Sequence, residues 1–412
     1  MKRKFVDFKV LTASLCCAVV MGVISFVFLK MLGLSSVFRE YFPYCIWFLP
    51  LSGMLTAFVY KKYGGESSKG NNLIIQSANE GIKVPKRLAV LTFFFTLLTH
   101  FSGGSAGREG TAVQIGGALT SNVADKFGFK KKDRKTIILS GLSSAFGSVF
   151  GTPLAGAFFG MEVCCIGQLS ASAVIPCFLS SYLANAVTLL LGATHEVHTI
   201  ASVPNFDFKL ILIFVSASVF FGLLGKLFAL AVKYLKLLYA KIFKNTVLSA
   251  LAGSVVVTLL IILLNLNKYE GLSTWQQTTA FEGNANWYDM PVKFILTVLT
   301  LGAGFQGGEV TPLFDIGASF GGWYANLFGI EPSFLAAIGL ICVFGSAANT
   351  PITTIMLGIE LFGAEAAPYF VFASLISFIA LGKSGIYSSQ ERKLSKSLFS
   401  AKADFCLLYT SP

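Results

Sequence analysis

Charge is what this chain has least of. Only 13% of its 412 residues are Asp, Glu, Lys or Arg, against roughly 25% in soluble domains. With 54% apolar residues and a mean hydropathy of +0.71, a water-facing globule is excluded. Histidine is scarcer still, at three residues. His195 and His198 in "GATHEVHT" are the single close pair, and two histidines in a polar loop read as loop, not as a metal centre. No CxxC occurs. Cys16, Cys17, Cys164, Cys165, Cys177 and Cys342 fall in or beside apolar runs, where cysteine serves as a small hydrophobe. No nucleophile–base set is visible either, so the expectation is a protein that is not an enzyme and holds no cofactor and no metal.

What is present is oil in long runs, with basic flanks. "VLTASLCCAVVMGVISFVFLKML" (10–32) alone has the length of a bilayer span, about 20 residues. It lacks a small-residue cleavage site and is expected to be a retained helix. The net charge is +12, carried by "MKRKFVDFK", by "KFGFKKKDRK" (126–135) and by "QERKLSKSLFSAK" near the end. The positive-inside rule places these segments in the cytoplasm, with both termini there. They are helix flanks and not one basic stripe, so nucleic acid is not expected as a partner; the lipid bilayer is.

Apolar runs recur at about 8–34, 44–60, 87–101, 111–124, 136–165, 170–193, 208–233, 246–265, 292–302, 310–328, 333–347, 351–363 and 366–382. Several are too short to span or are cut by Gly and Pro. Bare backbone cannot face lipid, so broken helices must line a polar cavity or be wrapped in protein. Short interrupted segments in matching halves point to a transport site. Matching halves exist. "FGSVFGTPLAGAFFGME" (146–162) aligns without a gap with "FGSAANTPITTIMLGIE" (344–360), at an offset of 198. "GSAGREGT" (104–111) aligns with "GFQGGEVT" (304–311), at an offset of 200. The coincident positions include Glu, Thr and Pro, which chance likeness of oily segments does not supply. The predicted fold is all-α and polytopic, with halves 1–200 and 201–384 meeting at mid-membrane. Residues 385–412 form a short tail, too small for a regulatory domain. The closing "DFCLLYTSP" breaks the pattern.

Four segments put polar groups at the mouth of an apolar helix: 66–75, "GREGTAV", "GGEVTPLFDIG" (307–317) and "SGIYSS" (384–389). A helix N-terminus offers unpaired N–H groups and about half a positive charge, which holds an anion without a full cation. Glu109 in "GREGTAV" is favoured by the same donors. Ionised, it can stand in the anion's place; protonated, it can leave. A helix cap or a pair with Arg108 is the plainer alternative, but intramembrane ionisable residues default to function. Arg108 is expected to anchor the loop. Glu162 and Glu360, repeat-mates at helix ends, are expected to make internal hydrogen bonds. Glu309 needs a special reason, because a second acid would repel an anion unless it is neutral or paired.

These segments, in this order, resemble the CLC family of anion channels and proton-coupled antiporters. "GREGT" is similar to the family's GREGP, "FGTPLAG" to its APLAG helix and "GGEVTP" to its GGxFxP; Tyr387 falls at the anion-coordinating tyrosine. The resemblance implies inverted halves with broken helices, a homodimer with one pathway per subunit in a bacterial inner membrane, and no CBS domains. Three departures resemble the family's fluoride/proton antiporter branch. "KGNNL" replaces GSGIP, which puts Asn71, or less favourably Asn72, at the chloride-coordinating serine. Glu309 and Thr311 occupy "GGEVTP". Val163 stands where many chloride/proton members carry an inner proton-accepting glutamate. The implied function is export of fluoride against inward protons, conferring fluoride resistance, with Glu109 as gate and proton carrier. The anion path is expected to comprise Asn71, Gly107, Arg108, Gly110, Thr111, Glu309, Val310, Thr311 and Tyr387. A chloride or nitrate member of the same family, or a passive channel, is the rival. Fluoride demands strong donors. Asn71 has two amide N–H groups and Thr311 a hydroxyl, and Glu309 held by Thr311 or protonated could donate as well.

Overall fold

The structure, a computed structural model, describes residues 7–392 except Phe206 and Lys383. The first six residues, most of the basic tail and "DFCLLYTSP" lie outside the described residues. Among the described residues, sixteen α-helices fall into two runs of eight. The first comprises α1 (Phe8–Tyr41), α2 (Leu49–Val59), α3 (Asn71–Glu80), α4 (Arg87–Phe101), α5 (Glu109–Lys126), α6 (Lys131–Phe150), α7 (Pro153–Glu162) and α8 (Val174–Leu190). The second comprises α9 (Phe208–Ile242), α10 (Thr246–Leu263), α11 (Trp275–Phe281), α12 (Asp289–Gly302), α13 (Val310–Phe328), α14 (Pro332–Ala348), α15 (Pro351–Phe362) and α16 (Ala367–Leu381). Five helical stretches, among them α1, α8, α9 and α10, are long and apolar enough to cross a membrane, while α4, α14, α15 and α16 are apolar but shorter.

The halves use the same local devices. Each opens on an aspartate N-cap: Asp7 accepts from Lys9 N at 3.0 Å and Asp207 from Leu210 N at 2.6 Å. Such caps satisfy donors that the first turn leaves unpaired. The predicted single run 136–165 is in fact two helices. Gly151, at φ +77°, ends α6, and Pro153 starts α7 at a position that needs no N–H. In the second half Asn349, at φ +58°, ends α14 and Pro351 starts α15. The polar helices α3 and α11 have no counterpart among the apolar runs. One further departure from an all-helical chain is a parallel pair of two-residue strands, β1 (Cys165–Ile166) and β2 (Glu391–Arg392), which ties the tail beneath α7.

The orientation of the repeat follows from two carboxylates. Glu162, at the end of α7, accepts from Ile352 N at 3.0 Å, Thr353 N at 2.8 Å and Thr353 Oγ1 at 2.7 Å, at the start of α15. Glu360, near the end of α15, accepts from Leu154 N and Ala155 N, both at 2.8 Å, at the start of α7. Each helix's tail caps the other's head, which requires α7 and α15 to run antiparallel, as an inverted repeat demands. The repeat-mates Phe146 and Phe344 meet at 5.9 Å between ring centroids, with Phe159 against the first and Phe314 against the second. These rings form a core shared by the halves. Close helix packing adds to it. A β-carbon on Gly317 of α13 would stand 2.1 Å from Gly339 O of α14, so the backbones touch, as small residues permit in membranes.

Glu162 is fully buried, so its loss strands two backbone donors. Glu162→Ala is expected to cost about 2–6 kcal/mol, at roughly 1–3 kcal/mol for each of the two buried unsatisfied groups. The readout is a lowered thermal midpoint of the detergent-solubilised protein, with Glu162→Gln, which keeps one acceptor oxygen, losing less. An unchanged midpoint would contradict the capping role.

Candidate functional site

The two glycine-rich loops identified from the sequence lie face to face. Gly107 N donates to Gly308 O and Gly308 N to Gly107 O, both at 2.7 Å, an antiparallel bridge between the halves. Only glycine fits. A β-carbon on Gly107 would stand 2.8 Å from Pro312 Cδ, and one on Gly308 would stand 2.7 Å from Gly110 N. The loop before α5 is braced from outside this contact. His100 Nε2 lies 3.3 Å from Gly107 O, and Ser105 and Thr297 share a 2.9 Å hydroxyl contact.

This bridge sets the heads of α5 and α13 together. Glu109 opens α5 and is 1% exposed. Its carboxylate crosses to the other half, where Oε2 accepts from Thr311 N at 3.2 Å and from Thr311 Oγ1. Arg108 Nε holds Oε1 at 3.1 Å. The carboxylate therefore both pairs with Arg108 and occupies helix-head donors. Those donors stand on α13, and from the N-cap of its own helix Oε2 also accepts from Arg108 N at 3.3 Å. The expectation that Thr311 holds Glu109's repeat-mate Glu309 is corrected: the Thr311 hydroxyl is committed to Glu109. Glu309 is half-buried at the N-cap of α13 and has no ion-pair partner within 4 Å among the described residues. Val310 follows it, fully buried as the first residue of α13.

Asn71 opens α3 and faces the same spot. The point where a β-carbon on Gly110 would stand is 3.2 Å from Glu309 Oε2 and 3.4 Å from Asn71 Nδ2. Asn71 is 8% exposed, and its buried Oδ1 has no hydrogen-bond partner. Amide orientation is a matter of which end is assigned as nitrogen, so this group can turn its NH2 inward. Asn72 is occupied elsewhere: its Oδ1 accepts from Ser389 N at 3.0 Å, pinning the segment that carries Tyr387. Tyr387 is 4% exposed, its hydroxyl is buried without a partner, and it lies in the field of both Glu309 and Glu109. Thr111 turns its hydroxyl to Thr96 at 2.8 Å, so only its backbone is left to face an anion. The sequence segment 384–389 forms no helix; there the tyrosine alone contributes.

Several buried polar groups went unread in the sequence. Gln390 Nε2 donates to Val163 O at 2.9 Å and Ala348 O at 2.8 Å, clamping the tail to both halves. Lys293 and Asp315, both fully buried, pair at 3.6 Å beneath the α13 head, with Gln277 Nε2 donating to Asp315 Oδ1 at 2.7 Å. Arg39 pairs with Glu270 at 3.7 Å and donates to His100 O. Each partner lies 22 or more residues away along the chain, so spacing gave no signal. Two hollows complete the site. A recess of about 880 Å³ opens beside Arg39, Arg108, Glu196 and Lys268. Below it a cavity of about 40 Å³ touches Glu109, Thr311, His195 and Glu196.

Comparison with known proteins places this geometry. The family model described as "Voltage gated chloride channel" matches residues 52–382. A "Chloride/fluoride channel protein" from Pseudomonas syringae pv. tomato is 38% identical over 386 residues, 92% of this chain and 85% of that protein. The "H(+)/Cl(-) exchange transporter ClcA" of Vibrio cholerae is 26% identical over 325 residues, 74% of this chain and 69% of that protein. Among solved structures, a crystal structure of a CLC-type fluoride/proton antiporter superimposes with a TM-score of 0.90 at 34% identity, covering 93% of this chain and 98% of that one. A slow cyanobacterial Cl−/H+ antiporter superimposes at 0.80 and 16% identity, which bears on the fold alone. The chain belongs to the voltage-gated chloride channel (CLC) family of membrane transport proteins.

Proposed function

We propose that this protein is a fluoride/proton antiporter that exports F− from the cytoplasm while protons move inward. One observation carries the reading: the Glu109 carboxylate holds the Thr311 donors, while the Asn71 amide oxygen and the Tyr387 hydroxyl stand buried and unpartnered nearby. An ionised Glu109 and an anion compete for one place. Two like charges about 4 Å apart repel by about 4 kcal/mol at an effective dielectric near 20, close to a thousandfold in occupancy. The anion therefore enters when Glu109 is protonated and has let go of Thr311, and it leaves as Glu109 returns. Each exchange moves a proton one way and an anion the other.

The choice of fluoride rests on donor chemistry. A small, strongly hydrated anion loses much on entering a dry site unless strong donors replace its water. An asparagine has two N–H groups where a serine has one O–H. The backbone N–H groups at Gly110, Thr111 and Val310 line the path with Asn71, Arg108, Glu309, Thr311 and Tyr387; the Gly107 N–H, expected among them, is instead spent on Gly308 O. Glu309 sets selectivity and coupling from the α13 side. The likeness to the Pseudomonas protein and to the fluoride/proton antiporter structure supports this branch over the chloride exchangers. Halves 1–200 and 201–384 form one pathway per subunit of a homodimer in a bacterial inner membrane, with both termini cytoplasmic.

Two variants test the reading in liposomes. Glu109→Gln is expected to abolish proton movement while fluoride still flows; coupled exchange that survives this change intact would remove the gate. Asn71→Ser is expected to narrow the preference for F− over Cl− by about tenfold or more, the scale of one strong hydrogen bond. That outcome is read from paired flux measurements with each anion, and an unchanged ratio would take Asn71 off the anion path.

A further inference from the structure

His195 belongs to the loop after α8, residues 191–207, on the side of the membrane opposite the basic segment 126–135 and therefore outside the cell. Its ring packs against Gly151, where a β-carbon would stand 2.5 Å from Cδ2. Both ring nitrogens are buried, and neither has a hydrogen-bond partner. Nitrogens in that state are costly unless something occupies the space beside them. The space is the 40 Å³ cavity that also touches the Glu109 carboxylate. At 10–15 Å³ per water it has room for about three, and its polar walls suit them. The remaining charged or titratable groups on this cavity are Arg108, Glu196 and His198. Glu196 is held by Thr274 Oγ1 at 2.7 Å, and His198 stacks on Phe281 at 4.9 Å. The helices α11, α13, α14 and α15 contribute only neutral side chains here. The larger recess above brings solvent to Arg108 and Glu196, past Lys30, Arg39, Glu40, Lys268 and Glu270.

We propose that His195 is the proton relay between external water and Glu109. The assignment rests on the antiport reading above. A proton from external water, reaching the cavity past Arg108 and Glu196, which line both hollows, binds one ring nitrogen. The proton on the other nitrogen passes through cavity water to the Glu109 carboxylate, which then releases Thr311. The ring is left neutral in its other tautomer and resets by turning over, so one proton enters and one is delivered. Neutral imidazole suits the task, having one donor and one acceptor. Burial, and next the Arg108 guanidinium, pull His195 down to about 4. The ring is therefore neutral at any external pH well above 4, free to take up one proton and give up another. The plainer alternative is that His195 only fills space over Gly151.

The test uses the purified full-length protein in liposomes, with F−-driven H+ uptake followed at external pH 5–8. His195→Ala is expected to slow coupled uptake by about tenfold or more at neutral pH, the lower range for general acid–base groups, with the F−/H+ ratio unchanged. External imidazole is expected to restore the rate. His195→Gln, close to histidine in bulk, is expected to show the same slowing. In a Glu109→Gln background, His195→Ala is expected to leave the uncoupled fluoride leak as it is. A wild-type rate for both variants across the pH range would overturn the relay. So would a loss that imidazole does not restore, or one that persists in the Glu109→Gln background. Wild-type protein that moves F− without H+ would instead sink the antiport reading itself.

Discussion

Two hydrogen bonds between Gly107 and Gly308 fix the centre of this molecule. They join the halves where neither backbone could otherwise be satisfied at membrane depth, and they bring two helix heads within reach of one carboxylate. The position of Glu109 on Thr311, the approach of Asn71 and Glu309 to Gly110, and the small cavity under His195 all follow from that contact. Glycine is required because any side chain at Gly107 or Gly308 would strike Pro312 or the backbone of Gly110. The reciprocal caps of Glu162 and Glu360 then lock the orientation of the halves some distance away.

Much of the architecture was legible in the chain. The offsets of 198 and 200 announced the repeat, and the helices recur at those offsets, as α7 and α15 do. Internal hydrogen bonding by Glu162 and Glu360 was expected and is seen. The break inside 136–165 was missed because the run is apolar throughout; what divides it is one left-handed residue and one proline, and hydropathy does not register either. The head of α3 was expected at Gly70–Asn72 and is found there, whereas α11 was missed for the opposite reason. Its residues, "WQQTTAF", are too polar to show as a run, and tertiary packing rather than an oily face keeps them helical.

At the site, the residues singled out in the sequence lie near one another in the fold, but their hydrogen-bond partners were not legible. The Thr311 hydroxyl was expected to face the anion, with a hold on Glu309 as one alternative, and is found on Glu109, because which acid a helix head receives depends on how the halves dock. Asn71 and Asn72 could not be told apart along the chain; the structure separates them, since Asn72 is bonded to Ser389. Lys293 and Asp315 were invisible as a pair, lying in different helices among apolar neighbours. His195 read as an ordinary loop residue because only the fold lays that loop over the head of α5.

The central claim is that one place is shared in turn by a carboxylate and an anion. The most direct measurement is the wild-type protein in liposomes, with internal fluoride in excess and no proton gradient, recording F− efflux and H+ uptake together. The account predicts that fluoride leaving drives protons in against a gradient that builds as transport proceeds, and that chloride in fluoride's place does so far more weakly. Fluoride leaving with no proton movement, or chloride serving equally well, would contradict it.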